Sequence, residues 1–380
     1  MKTALINGCV FDGEQQFDGR AVILDGGRID SLVADKDLPA DVASTVDLQG
    51  HLLVPGFIDL QVNGGGGVML NSSPTVDAIR TMASGHRQYG TTGLLPTLIT
   101  ASFGTMRQAI DAVDQAMDEG VPGVLGIHLE GPFLNPEKKG AHDAGKFCTL
   151  DEQGLELVCS LKRGKTVVTI APELTSPEMI ADLKARGVIV CAGHSNASYE
   201  QARQALQAGV EGFTHLYNAM TPLQSRAPGM VGAALEDPKS WFGIIADGHH
   251  MHPAAFSVAV AAKQRGGVIL VTDAMSTVGA EDTSFVLDGE VIHAEGGRCI
   301  NAAGNLAGSD LNMMSAVNNA CHFANIDWQE AVRMASVYPA KALGLEHELG
   351  CIKPGFRANF VLVNSDKTVL KTWIDGVASD

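Results

Sequence analysis

The chain is short of positive charge. Its 27 Lys and Arg stand against 43 Asp and Glu, a formal net charge of −16 over 380 residues. Nucleic acid and anionic membrane both call for a basic face, so neither is expected as a partner. An anionic small molecule would need a local basic site. No uninterrupted apolar run is long enough to span a bilayer. The start, MKTALINGCVFDGEQ, lacks a signal-peptide core, and a cytoplasmic protein is expected. The seven cysteines (Cys9, Cys148, Cys159, Cys191, Cys299, Cys321 and Cys351) include no CxxC pair and are odd in number, which favours reduced thiols. There is no internal repeat, low-complexity tract or flexible linker. Nor is there a G-x-S-x-G nucleophile elbow. Ser195 follows His194 without that setting, so attack by activated water is preferred over an acyl-enzyme.

What is present suits a large core. Hydrophobic residues make up 45% of the chain and charged residues 18%, and 43 glycines supply tight turns. Residues 4–7, 20–24, 28–33 and 44–48 read as short strands separated by FDGEQ, DGG and DKDLP, and DG or GG between apolar runs signals hairpins. The last thirty residues read the same way, with strands at 358–363 and 369–374. The two ends are therefore expected to form one small discontinuous β-sandwich domain from residues 1–53 and 346–380. Between them, candidate strands at 54–60, 93–96, 124–129, 166–170, 188–192, 212–215, 242–246 and 268–272 alternate with helical stretches such as 103–117, 177–186, 199–208 and 252–264. Residues 312–345 read as closing helices. Strand–helix alternation implies a parallel sheet. Eight strands suggest a fold of the α/β class, a (β/α)8 TIM-like barrel over residues 54–345. A doubly wound open sheet is the alternative, but it would not bring five or six strand ends to one point.

Four segments place chemistry where apolar runs end: HLEGP at 128–132, AGHS at 192–195, THLYNAM at 214–220 and VTDAM at 271–275. Glu130, His194 and His215 are candidate ligands for one divalent metal, since carboxylate and neutral imidazole suit Zn2+ and similar ions. Three protein ligands leave a position open for water. A single histidine at a strand end is more often just hydrogen-bonded; three suitable residues at corresponding strand ends change that balance. His128 alternates with Glu130 on one strand and reads as a supporting or core residue, with ligation open. Asp273 is the candidate general base and acid, its bland alternative being a cap for the following turn.

These motifs, with PGFIDLQVNG, PTLIT, LGIHLEGPFLNPEKKGAH, GIIADGHH and IKPGFRANFVLV, resemble the N-acetylglucosamine-6-phosphate deacetylases of the amidohydrolase superfamily over essentially the whole chain. The resemblance implies metal-dependent hydrolysis of the N-acetyl group of N-acetylglucosamine 6-phosphate, with zinc the expected ion and Fe2+, Co2+ or Mn2+ as alternatives. It implies that His142 polarises the acetyl carbonyl and that Ala141, Asn218, Ala219, His250, Leu306, Ala307 and Gly308 line the sugar-phosphate site. It further implies a homodimer in which Arg226 reaches the neighbouring site. Without the resemblance, Arg226 reads as a solvated loop residue and His142 as part of a surface turn. Lys138 and Lys139 read as solvated charges, and Gly64–Gly67 as a βα turn rather than an anion nest.

One departure bears on the metal count. Many amidohydrolases carry His-x-His after the first barrel strand, where this chain has Gln61-Val62-Asn63. Neither amide supplies an imidazole, so one metal per chain is expected. The rival readings are a deaminase or dihydroorotase-like amidase, disfavoured by that same departure, and a silent sugar-phosphate binder. The binder would have no need of Asp273.

Overall fold

The computed structural model describes residues 1–287, 289–302, 304 and 306–379. Among these residues, eight parallel strands form one sheet: Phe57–Val62, Thr91–Ile99, Gly126–Glu130, Lys165–Ile170, Ile189–Ala192, Gly212–Phe213, Trp241–Ile244 and Val268–Leu270. Spatial order follows chain order, as a (β/α)8 barrel requires. The strands are buried along almost their whole length, the pattern of a parallel sheet covered by helices. The covering helices are amphipathic and capped. Phe103–Asp118 buries Met106, Ala109, Ile110 and Val113 at helical spacing, and the Ser102 side chain accepts from the Thr105 N–H at its start. Tyr199–Ala208 opens with a capping box between Ser198 and Gln201.

The first and last strands close the ring at the site end. Val62 bridges Ala274 in parallel. The Asp273 N–H donates to the Gln61 carbonyl over 3.0 Å, and the Asn63 N–H donates to that of Ala274 over 2.9 Å. A buried carboxylate reinforces this seam. Asp59 accepts from the Thr272 hydroxyl at 2.6 Å and from the backbone N–H groups of Thr272 and Gln61 at 3.3 and 3.2 Å. Burial pushes Asp59 up to about 7 despite these donors.

Both chain ends build the smaller β-sandwich. One sheet orders Arg28–Ala34, Arg20–Asp25, Lys2–Ile6 and Val42–Asp47; the other orders Val377–Ala378, Val369–Ile374, Phe360–Val363, Leu52–Pro55, Cys9–Phe11 and Gln16–Asp18. Leu5, Val22, Leu53, Phe360 and Trp373 share its core.

Two features differ from the sequence reading. The strand expected at 54–60 is two strands: Leu52–Pro55 pairs within the small domain, and Phe57–Val62 opens the barrel. Gly56 lies between them and must be glycine, because a Cβ there would lie 1.9 Å from the Thr92 hydroxyl. The barrel also carries an antiparallel sheet of strands Ser284–Leu287, Glu290–Glu295, Arg298–Ile300 and Leu306–Ser309, which the sequence reading left unassigned. It packs Leu287, Ile292, Cys299 and Ala307 against Met69, Ile99 and Met275 at the barrel mouth. Among the described residues, no helix is long and apolar enough to cross a membrane.

Candidate metal and catalytic site

Glu130 ends the third barrel strand, and His194 and His215 follow the fifth and sixth by two residues. The two histidines and Asp273 all have positive φ, at 48°, 31° and 52°. Such backbone costs on the order of 1 kcal/mol or more per residue and persists where packing enforces it, commonly at functional sites. It turns each side chain inward over the barrel mouth.

The three candidate ligands converge. His215 Nε2 lies 3.0 Å, and His194 Nε2 3.2 Å, from Glu130 Oε1, and the two nitrogens are 3.0 Å apart. All three residues are buried. His194 Nδ1 donates to the Lys138 carbonyl over 2.7 Å, so its ring proton sits there and Nε2 presents a bare lone pair to the cluster. A lone pair aimed at a carboxylate oxygen is repulsive unless a cation lies between them. The donor set and its protonation therefore fit a divalent ion.

His194 is also positioned from behind. The next two residues bind Glu173: Ser195 Oγ donates to Oε2 at 2.5 Å and the Asn196 N–H to Oε1 at 2.6 Å. Asn135 donates to the same Oε1 from the loop after the third strand. His128 has both nitrogens engaged, Nδ1 donating to the Leu60 carbonyl at 3.0 Å and Nε2 accepting from Thr169 Oγ1 at 2.8 Å. Burial lowers it to about 4. It is a neutral supporting residue with no nitrogen left for a metal.

Asp273 sits beside the cluster. Asn63 Nδ2 and Gln61 Nε2 donate to its Oδ1 at 2.7 and 3.1 Å, and Gln61 Nε2 also reaches Glu130 Oε2 at 3.0 Å. Burial, then the charge of Glu130, raises Asp273 above the ordinary carboxylate range. His142 faces His194, with ring centroids 4.4 Å apart. The Thr100 N–H, which can only donate, and the Thr100 hydroxyl both meet His142 Nδ1, at 3.4 and 2.8 Å. The proton of neutral His142 therefore lies on Nε2. Burial, then the neighbouring His194, lowers His142 to about 3, so it remains neutral at working pH.

A cavity of about 200 Å³ joins these groups. Its lining includes Glu130, His194, His215, Asp273, His142 and Asn63, with Ala141, Asn218, Ala219, His250, Leu306 and Gly308. His250 Nδ1 donates to Asp247 Oδ2 at 2.6 Å, leaving Nε2 for a ligand. Ala307 alternates with Leu306 and Gly308 and turns into the neighbouring apolar cluster. Arg226 is exposed and does not line the cavity of its own chain. Sequence reasoning missed Glu173, Asp247, Thr100 and Asp59. Asp59, Thr100 and Asp247 lie within PGFIDLQVNG, PTLIT and GIIADGHH, motifs quoted above without a role for these residues; Glu173 lies in none of them.

The barrel and the inward-facing carboxylate–imidazole cluster define a metal-dependent hydrolase, and comparison reaches the same class. The chain belongs to the amidohydrolase family, which matches residues 52–378, and the NagA composite domain matches residues 3–53. Within that family its relatives are sugar-phosphate deacetylases. It is 45% identical over 330 residues to N-acetylgalactosamine-6-phosphate deacetylase of Shewanella sp. (strain ANA-3), covering 87% of this chain and 83% of that one. It is 36% identical over 380 residues to N-acetylglucosamine-6-phosphate deacetylase of Haemophilus influenzae, covering 99% of each. The crystal structure of N-acetylglucosamine-6-phosphate deacetylase from Pasteurella multocida superposes with a TM-score of 0.96 at 35% identity, covering both chains fully.

Proposed function

We propose that this chain hydrolyses the N-acetyl group of an N-acetylhexosamine 6-phosphate to the amino sugar phosphate and acetate, within amino-sugar catabolism. N-acetylglucosamine 6-phosphate is the expected substrate and its galacto epimer the competing one, since relatives of both kinds resemble the chain. The observation that carries the reading is Asp273 beside the Glu130–His194–His215 cluster in one cavity, because a binder would need no such base. Glu130, His194 and His215 would hold one divalent ion per chain, zinc by expectation. A bound ion supplies Lewis acidity, which lowers the pKa of a water from 15.7 toward about 7 and polarises a carbonyl. Support for a single ion comes from Gln61, whose NH2 donates to both carboxylates where an imidazole would be needed for a second.

Asp273 takes a proton from the attacking water as its oxygen adds to the acyl carbon. The Nε2–H of neutral His142 donates to the oxygen that gains charge. Asp273 then returns the proton to nitrogen as the C–N bond breaks. His250, Asn218 and Ala219 would anchor the sugar phosphate and hold the amide in place. The phosphate would also meet Arg226 of a second copy, since a guanidinium fork suits its oxygens. A homodimer is supported by helix Pro253–Ala262, which exposes Ala254, Val258, Ala261 and Ala262 outward, an apolar face that a second copy would cover. A reducing, cytoplasmic setting accords with seven free cysteines.

Acetate release tests the reading. Chelated protein should release none; after addition of zinc or another divalent ion it should release acetate from the 6-phosphates and far less from unphosphorylated N-acetylglucosamine. Folded protein that releases none with any ion would refute the assignment.

A further inference from the structure

We infer that Ile99 and Met275 form the acyl-chain subsite and set the largest acyl group that this enzyme removes; this rests on the deacetylase reading above. A trigonal acyl carbon has three substituents, and the cavity provides three sectors. The carbonyl oxygen belongs with the ligand cluster and the Nε2–H of His142. The nitrogen carries the sugar toward Asn218, Ala219 and His250, which follow the sixth and seventh strands. The third substituent is left facing the sector of the eighth, first and second strands, where the cavity is lined by Ile99, Met275 and Asn63.

Beside Asn63, Ile99 and Met275 give that sector an apolar floor. Ile99 ends the second strand in register with Glu130 on the third, and in a parallel ladder residues in register project to the same side. Its side chain therefore stands beside the candidate metal cluster. Its backbone is held at both polar groups by one side chain: Asn71 Nδ2 donates to the Ile99 carbonyl at 2.8 Å, and the Ile99 N–H donates to Asn71 Oδ1 at 3.1 Å. Met275 follows Asp273 by two residues, and its N–H donates to the Ser309 carbonyl at 3.0 Å. Gly308, at φ +73°, favours glycine, and its missing Cβ leaves room for the Met275 side chain, whose Cγ and Sδ would lie 2.5 Å from such a Cβ. Behind the pair, Met69, Leu287, Ile292, Cys299 and Ala307 complete a buried cluster. Ile99 and Met275 are 5% and 2% exposed. A floor whose backbone is held at two positions, with a buried cluster behind it, resists receding for a longer chain. It accepts a methyl and rejects larger or charged acyl groups.

The test compares kcat/KM for the N-acetyl, N-propionyl and N-butyryl forms of whichever hexosamine 6-phosphate the wild-type holoenzyme deacetylates. Wild type, Ile99→Ala, the milder Ile99→Val, and Met275→Ala are assayed. Ratios within one preparation do not depend on the folded fraction. One methylene in an apolar pocket is worth about ten-fold or more. Wild type should favour acetyl over propionyl by at least that factor, and each Ala variant should narrow the ratio by about ten-fold, with Ile99→Val between. A wild type that releases acetate, with ratios unmoved in all variants, overturns the subsite and leaves the deacetylase reading standing. A wild type that releases no acetate from any of these compounds overturns both.

Discussion

Asn63 Nδ2 donates to Asp273 Oδ1 over 2.7 Å, while the buried Asn63 Oδ1 has no partner among the described residues. The amide thus holds the candidate base and leaves an acceptor at the cavity. At the position where the resemblance leads one to expect a histidine, this chain has an amide that orients a carboxylate.

Removing that donor should impair turnover more than metal binding. Asn63→Ala should lower kcat by about ten- to hundred-fold, the usual cost of losing a partner that orients an active group. Asp273→Asn should lower it by about 10²–10⁴-fold. Metal content by elemental analysis should stay near one equivalent in both. Near-normal turnover in Asp273→Asn would remove it as the base, and two essential equivalents in wild type would contradict the single-ion reading.

Glu173 touches no candidate ligand, yet it fixes the turn carrying His194. Glu173→Ala should weaken metal affinity by about ten- to hundred-fold, measured by competition with a chromogenic chelator. Unchanged affinity in folded variant would mean that the strained turn holds itself.

Arg226→Ala should raise KM for the phosphorylated substrate with little change in kcat. Mixing inactive Asp273→Asn chains with Arg226→Ala chains should restore activity if sites are shared between copies, because each heterodimer contains one site with both groups intact. Verified heterodimers with no gain over the separate variants would exclude sharing.

Asp59 gives a stability prediction with a definite sign. Its carboxyl titrates near 3.8 when unfolded and at about 7 when folded, so between those values the native state binds more protons. Stability contributed by this group is full below about pH 4 and is lost as pH rises to about 7. The loss amounts to about 4 kcal/mol at most. In urea denaturation from pH 4 to 8, wild type should lose stability relative to Asp59→Asn across that window and run parallel to it above. Parallel curves throughout would show that Asp59 is ionised in the folded protein at every pH.

The candidate ligands were legible because each ends or closely follows an apolar run, and a barrel gathers strand ends whatever their sequence separation. The same logic found Asp273. Glu173 was not legible, since its partners Ser195 and Asn196 are ordinary polar residues that only the folded turn brings to it. The change of sheet at Gly56 was not legible either: position 56 needs glycine because of Thr92, 36 positions later, which no local pattern reports. The antiparallel sheet over 284–309 was missed despite its signals: Asp288-Gly289 and Gly296-Gly297 are the same punctuation that revealed the N-terminal strands. Expecting only helices and parallel strands hid them. Ala307 was grouped with its neighbours by proximity in sequence, whereas strand alternation sends it to the opposite face.

The seam between the first and last barrel strands joins the two ends of the barrel's sequence. Asp59 and Thr272 lie 213 positions apart, and Asp273 hangs on that junction. A growing chain that has passed His215 already contains Glu130, His194 and His215, but not the base. The candidate ion ligands are thus encoded before the candidate base. On the proposed reading, the candidate base therefore joins the candidate ligands only where the barrel's two ends meet.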